Sequence, residues 1–366
     1  MASDTPGERN IAVKRRGAWQ PRRVVITRDA RTYAHGVAMA ERCAGAGLEV
    51  DELSGNAVRM PRAASERAAY ALAKNTLAIT VAPPSKLRLQ PIAPSADWRI
   101  DLAQGCPAHC SYCYLAGSLK GPPITRAYAN LDDLFDAAAA VEGAGTITSR
   151  SAARVGEGTT YEASCYTDPL AIEHLTGNLS RAVEHFGAWK ADVQLRFTTK
   201  FADVAPLLAL DHRGRTRMRA SVNPAAYAPF EGGTDRVADR LTALGAMAEV
   251  GYPIGLTIAP IIAAAGWREA YSELIAEAAL ALRGIDALDL TVELITHRFT
   301  ESSRAVLRSW YPGSKLDMGD TGRAVKYTKF GTKKIVYDRE TMAELKGFFH
   351  DRIARDLPAA RILYWT

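Results

Sequence analysis

The chain has 366 residues, 48% of them hydrophobic and 23% charged, with no low-complexity tract. That composition buries a sizeable core and excludes intrinsic disorder, collagen and coiled coil as global descriptions. Net charge is +6, no run of eighteen apolar residues occurs, and the N-terminus lacks a signal-peptide layout, so the expectation is a soluble cytoplasmic protein with no membrane partner.

The charge is uneven. Residues 1–30 hold seven Lys/Arg against three acids, and residues 315–339 repeat that balance. Either run suits a phosphate-bearing partner or a plain solvated surface. Residues 1–22, rich in Arg, Pro and Gly, read as a disordered basic arm. A small α/β domain is expected over 23–94: a strand at Val24–Ile26, a helix from Asp29 to about Ala44, a strand at Leu48–Leu53, a helix near Ala63–Lys74 and a strand at Leu77–Val81. Two proline-containing stretches, Ala82-Pro83-Pro84 and Ile92-Ala93-Pro94, mark an extended connector.

Over 95–300 the pattern becomes strand–helix alternation. Strands are expected at Arg99–Leu102, Thr160–Ser164, Val193–Thr199, Arg215–Val222, Ile254–Pro260 and Leu288–Leu294. Helices are expected at Leu131–Val141, Ala171–Phe186, Arg236–Val250 and Glu269–Arg283. Six strands alternating with helices imply a parallel sheet with right-handed crossovers, and periodicity leaves open whether it curls. In the C-terminal region, 301–366, Tyr327–Phe330 and Lys334–Tyr337 flank Gly331-Thr332-Lys333 as a basic, aromatic β-hairpin, followed by a helix at Glu340–Ile353 and a strand at Arg361–Trp365.

Three of the five cysteines sit within eight residues, as Cys106-x3-Cys110-x2-Cys113 in GCPAHCSYCYL. Three thiolates on one loop can each hold one iron of a [4Fe–4S] cluster, whose usual complement is four. The open iron would accept the amino and carboxylate groups of S-adenosylmethionine, and one electron would then yield a 5′-deoxyadenosyl radical. The competing reading is a Cys3His zinc site with His109 as fourth ligand, which the crowding of all donors on one loop makes awkward.

Cys-x3-Cys-x2-Cys followed by an aromatic is the signature of radical S-adenosylmethionine enzymes. The segment GCPAHCSYCYLAGSLKGPPITRAYANLDDLF resembles the cluster segment of the spore photoproduct lyase family. The likeness continues through YEASCYTD, LRFTTKF, RTRMRASVN, VGYPIGLTIAPI, VELITHRFT and ILYWT, across roughly 95–366. It implies a partial (β/α)6 TIM-like barrel of the radical SAM type, with the small N-terminal domain and the hairpin appended. The implied activity is carbon–carbon bond cleavage that repairs a methylene-bridged thymine photoproduct in DNA, started by hydrogen abstraction and fed by a low-potential donor such as flavodoxin or ferredoxin.

The resemblance also assigns residues. Cys106, Cys110 and Cys113 would hold the cluster. Cys165 in YEASCYTD would return hydrogen to the product radical, with Tyr112 and Tyr114 relaying it. Ala163, Thr167, Lys200 and Ser221 would bind S-adenosylmethionine, Thr167 standing where the family has serine. Tyr327, Lys329 and Phe330 would meet the nucleic acid, where the family pattern has tryptophan, arginine and tyrosine. Those three departures, and a longer Gly/Ser-rich segment at 141–159, leave room for a paralogue acting on another nucleic-acid substrate. A non-catalytic metal-dependent nucleic-acid-binding protein is the alternative of another class. Glu293 and His297 are expected near the mouth of the barrel, Asp168 beside Cys165, and Cys43 in the core.

Overall fold

The computed structural model describes residues 17–113, 116, 123–145, 152–154, 156–327, 331 and 333–366. Tyr114, Lys329 and Phe330, most of the predicted basic arm, and much of the 141–159 segment lie outside the described residues.

The central element is an eight-stranded sheet. Seven strands run parallel, in chain order: Ala96–Ile100, Thr159–Ala163, Val193–Thr199, Thr216–Val222, Ile254–Ile261, Leu290–Thr296 and Arg361–Trp365. Gln90–Ile92 adds an antiparallel edge beside the first. All six predicted strands are present within a few residues, and the closing Arg361–Trp365 is a seventh parallel strand. The stretch around Ile92, read from its prolines as connector, is the edge strand, where a missing N–H costs no ladder bond.

The sheet curls. Arg219 on the fourth strand reaches Glu162 on the second, Glu293 on the sixth and Ser95 just before the first. One side chain meets that span only if the strands wrap round it. The two edge strands are not paired with each other, which makes this a partial barrel. Helices cover the outside. Leu179, Val183 and Phe186 recur at helical spacing on Asn178–Ala188 and are fully buried against the sheet. The predicted helix Ala171–Phe186 is broken at Gly177, whose φ of 64° ends one short helix and starts the next.

The N-terminal unit is a second sheet, ordered Val50–Glu52, Arg23–Ile26, Thr76–Thr80, Thr125–Tyr128, Ala103–Gln104. Its central strand, Thr76–Thr80, shows period-two alternation: Leu77 and Ile79 enter one core cluster and Ala78 the other. The last two strands come from beyond residue 94, on either side of the cysteine loop. The loop is therefore hung from the N-terminal sheet at both ends, which local patterning could not reveal. Trp19 and Pro21, read as part of a free arm, are packed: Trp19 lies against the core, its carbonyl 2.9 Å from His174 Nε2, and Pro21 is buried. Asn178 joins the two sheets through Leu102 O, Tyr128 O and His35 Nε2.

The hairpin is real but shifted. Its described strands are Arg323–Tyr327 and Lys333–Tyr337, so the first begins at Arg323, ahead of the expected start at Tyr327. The expected alternation missed this because the first strand is exposed on both faces and carries no burial pattern. Phe299 and Ile335 exchange backbone hydrogen bonds at 3.1 and 2.8 Å, fixing the base of the hairpin to the end of the sixth barrel strand. Among the described residues, no helix is long and apolar enough to cross a membrane.

Candidate active site

At the C-terminal ends of the barrel strands lies a cavity of about 430 Å³. Twelve residues picked out from sequence line it: Cys106, Cys110, Cys113, Tyr112, Cys165, Ala163, Thr167, Lys200 and Ser221, with Asp168, Glu293 and His297. They arrive from the cysteine loop and from strand ends as far apart as the second and the sixth, which the curl of the sheet brings to one cavity.

The cysteine loop is shaped by backbone chemistry. Gly105 has φ of 83°, and a Cβ there would sit 2.1 Å from Ile124 O, so glycine is required immediately before Cys106. His109–Cys110 then pairs with Glu231–Gly232 as a two-residue antiparallel ladder, and Ser111 N donates to Phe230 O at 2.9 Å. His109 does not line the cavity; its Nδ1 meets the Tyr70 hydroxyl at 3.2 Å. Among the described residues, no group of three or more His, Cys, Asp or Glu side chains is gathered to hold a single ion, so the Cys3His zinc arrangement gains no support.

The donor set fits an iron–sulfur cluster: three thiols open to one cavity, on a loop tied at both ends. Burial pushes the Cys106 thiol up to about 11 and the Cys110 thiol higher still. In such surroundings they ionise only when a metal supplies the opposing charge.

Beside the loop, Lys200 Nζ donates to Ser221 Oγ at 2.7 Å, Glu231 Oε1 at 3.0 Å and Ala259 O at 3.3 Å. Glu231 is buried and also receives the Tyr112 hydroxyl, Asn223 Nδ2 at 3.3 Å and an Arg240 ion pair at 2.7 Å. Burial opposes its charge, but Lys200 and Arg240 prevail and hold its carboxyl at about 2. Sequence reasoning missed Glu231 because nothing local marks it; only its register opposite Cys110 places it in the site. The Tyr112 phenol is pushed far above its ordinary value, chiefly by burial, and stays protonated. The Lys200 ammonium lies 5.5 Å from the Tyr112 ring centre. Thr167 Oγ1 is buried without a hydrogen-bond partner among the described residues and faces the cavity, which suits a polar ligand atom.

Cys165 follows the second barrel strand. Ser164 before it adopts φ of 58°, rare for a residue with a side chain, and its Oγ accepts from Leu102 N at 3.0 Å. This left-handed step turns the chain sharply after the strand at the point where Cys165 meets the cavity. Burial first, then the nearby Glu162 and Asp101 carboxylates, push the Cys165 thiol well above its ordinary value. Asp168 accepts from Lys200 N at 2.7 Å and Thr199 Oγ1 at 2.8 Å, which orients the Lys200 turn. The cavity floor is the Arg219 pairing with Glu162 and Glu293, with Tyr364 donating to Glu293 at 3.0 Å. Cys43 is fully buried in the N-terminal core, as expected.

The spore photoproduct lyase family model matches residues 19–366. The chain belongs to the spore photoproduct lyase family. Curated spore photoproduct lyases from Geobacillus sp. (strain Y412MC61) and Bacillus subtilis (strain 168) are 38% and 36% identical to it, over 94% of this chain and 98% of each relative. A solved spore photoproduct lyase complexed with dinucleoside spore photoproduct superposes with a TM-score of 0.88 at 37% identity, covering 96% of this chain and all of that one. A mutant spore photoproduct lyase with bound AdoMet and dinucleoside spore photoproduct gives 0.87 at 36% identity, with the same coverage. The likeness thus extends through the N-terminal unit, beyond the stretch from residue 95 where the sequence resemblance was expected to be firm.

The hairpin stands near the cavity rim. Arg323, opening its first strand, donates to His297 O at 2.9 Å and lies 3.2 Å from His297 Nδ1, with its guanidinium 3.8 Å from the Tyr337 ring centre. His297 and Arg298 line the cavity. Tyr327 is 67% exposed, an aromatic ring held in water.

Proposed function

We propose that the chain is a radical S-adenosylmethionine lyase that opens the methylene-bridged thymine photoproduct in DNA, working in the cytoplasm. The observation that carries this reading is the convergence of the three loop thiols, Lys200, Ser221, Thr167 and Cys165 on one cavity. Cys106, Cys110 and Cys113 would hold a [4Fe–4S] cluster, and Ala163, Thr167, Lys200 and Ser221 would hold S-adenosylmethionine. When bound, the pair supplies hydrogen-abstracting radical chemistry, paid for by one electron from a donor such as flavodoxin or ferredoxin.

The protein's own part follows from the site. Lys200 offers an ammonium for the ligand carboxylate, and Ser221 fixes where that ammonium points. Cys165 stays a thiol at neutral pH, so its S–H is available to pass a hydrogen atom to a carbon radical on the thymine; a thiolate would have none to give. Tyr112 is held by Glu231 as a buried phenol facing the same space, a second hydrogen source that can restore Cys165. Tyr114 is proposed for the same relay from the family motif. Tyr327, with Lys329 and Phe330 beyond it, would fill the gap when the dinucleotide leaves the stack.

A second reading is favoured by Lys329 and Phe330: lysine lacks the planar fork of the family's arginine, and phenylalanine lacks the hydroxyl of its tyrosine. The same radical chemistry would then serve another lesion. Anaerobic reconstitution followed by incubation with dinucleotide spore photoproduct decides. Recovery of thymine together with 5′-deoxyadenosine is expected; cofactor cleavage without thymine would establish the second reading, and neither product would reject both.

A further inference from the structure

The wall behind the cysteine loop is built by the N-terminal unit. Helix Glu66–Lys74, capped at Ser65, ends against the loop. Lys74 in its last turn is only 6% exposed, and its Nζ donates to the carbonyls of Cys106 and Ala108. One turn earlier, Tyr70 bonds His109 Nδ1 and the Tyr311 hydroxyl, and stacks on Trp310 with ring centres 4.4 Å apart.

An ammonium withdrawn from water costs several kcal/mol unless an anion opposes it. Among the described residues, Lys86 and Lys200 have carboxylate partners, while Lys74 has none within ion-pair distance. Its contacts carry no carboxylate: two peptide carbonyls and, 6.0 Å away, the Tyr70 ring. The groups left to answer this charge are the loop thiols as metal-bound thiolates. A [4Fe–4S] cluster on three thiolates is a net anion, and gains a further negative charge when reduced.

We propose that Lys74 is the countercharge of the cluster. It is a positioning residue that holds the loop through two carbonyls and, by opposing the charge that arrives with the electron, raises the reduction potential of the cluster. This gives the N-terminal unit a part in the chemistry through a residue that never enters the cavity. It rests on the cluster reading above.

The test uses the full chain, reconstituted anaerobically as wild type, Lys74→Gln, Lys74→Arg and Tyr70→Phe. Iron and sulfide content, the melting temperature of each apoprotein and a spectroelectrochemical titration are measured. Lys74→Gln keeps a donor for the carbonyls and loses the charge; its potential is expected to move to a more negative value. Lys74→Arg and Tyr70→Phe are expected to keep the wild-type potential. Retention of iron by the Arg variant and its loss from a normally melting Gln variant would support the same conclusion. An unchanged potential in an iron-replete Gln variant would overturn the proposal, as would equal shifts or equal iron loss in the Gln and Arg variants. A wild-type protein that takes up no iron would instead refute the cluster reading itself, before any variant is compared.

Discussion

Lys200 and Glu231 meet at 3.0 Å, across the gap between a barrel strand end and the ladder that pins the cysteine loop. The ammonium is thereby aimed before any ligand arrives, and Ser221 fixes it from the other side at 2.7 Å. A charge-assisted hydrogen bond to a ligand carboxylate contributes about 1.5–3 kcal/mol. Lys200→Met should therefore weaken S-adenosylmethionine binding roughly ten- to a hundredfold. Glu231 keeps Arg240, Asn223 and Tyr112 in that variant, so iron content should stay at the wild-type level. Anaerobic equilibrium dialysis beside iron analysis checks both; unchanged affinity would remove Lys200 from the ligand site.

Cys165 offers a different separation. Its thiol lines the cavity and is no part of the cysteine loop. Cys165→Ala is expected to leave cofactor cleavage to 5′-deoxyadenosine intact, while thymine recovery falls by at least about tenfold, a barrier change of about 1.4 kcal/mol or more. The product radical, lacking its hydrogen donor, should appear as adducts. Product analysis by mass spectrometry reads the outcome, and normal thymine yield would strip Cys165 of its role.

Much of this was legible in the sequence, for a physical reason. Ile254–Ile261 reads as an apolar run, the alternation of strand and helix patterns marks the other barrel strands, and the cysteine spacing states its chemistry within eight residues. What stayed hidden depends on pairings between distant segments. Thr125–Tyr128 joins the N-terminal sheet, and Glu231 gains its place by facing Cys110 across more than a hundred residues. Lys74 looks like an ordinary lysine at a helix end until its ammonium is found beneath the loop. Arg154, inside the longer Gly/Ser-rich segment at 141–159, is 3% exposed and reaches towards Glu293 at 3.9 Å, so at least that residue is packed into the barrel. Buried charges of this kind break the rule that polar stretches are surface, and only tertiary partners explain them.

Tyr327 is the hairpin residue whose role can be tested with least disturbance. Its ring makes no core contact that would be lost, being 67% exposed, so Tyr327→Ala should change stability by no more than about 0.5 kcal/mol. Stacking of a base on an aromatic ring is worth about 1–3 kcal/mol. Binding of lesion-containing duplex DNA should weaken accordingly, with cofactor cleavage in the absence of DNA unaltered. Fluorescence anisotropy at fixed salt measures the affinity; equal binding by the variant would place the DNA contact elsewhere on the hairpin.

The Arg323–His297 contact makes the hairpin's anchorage depend on pH. His297 is buried beside a guanidinium, and burial, then Arg323, push its imidazole down to about 3. Its neutral Nδ1 accepts from Arg323, a role that protonation abolishes. The unfolded chain takes up this proton near pH 6.5 and the folded one only near pH 3, so between those values the unfolded state binds more protons. The contribution is thus fully present above pH 6.5 and is lost as pH falls, by about 2 kcal/mol between pH 6.5 and 5. His297→Gln, which cannot titrate, should lose less stability than wild type over that interval, by roughly that difference. Urea unfolding of both apoproteins at pH 7, 6 and 5 provides the comparison. Parallel stability–pH curves would show that His297 does not carry the dependence, whereas convergence of the two curves on acidification is the expected result.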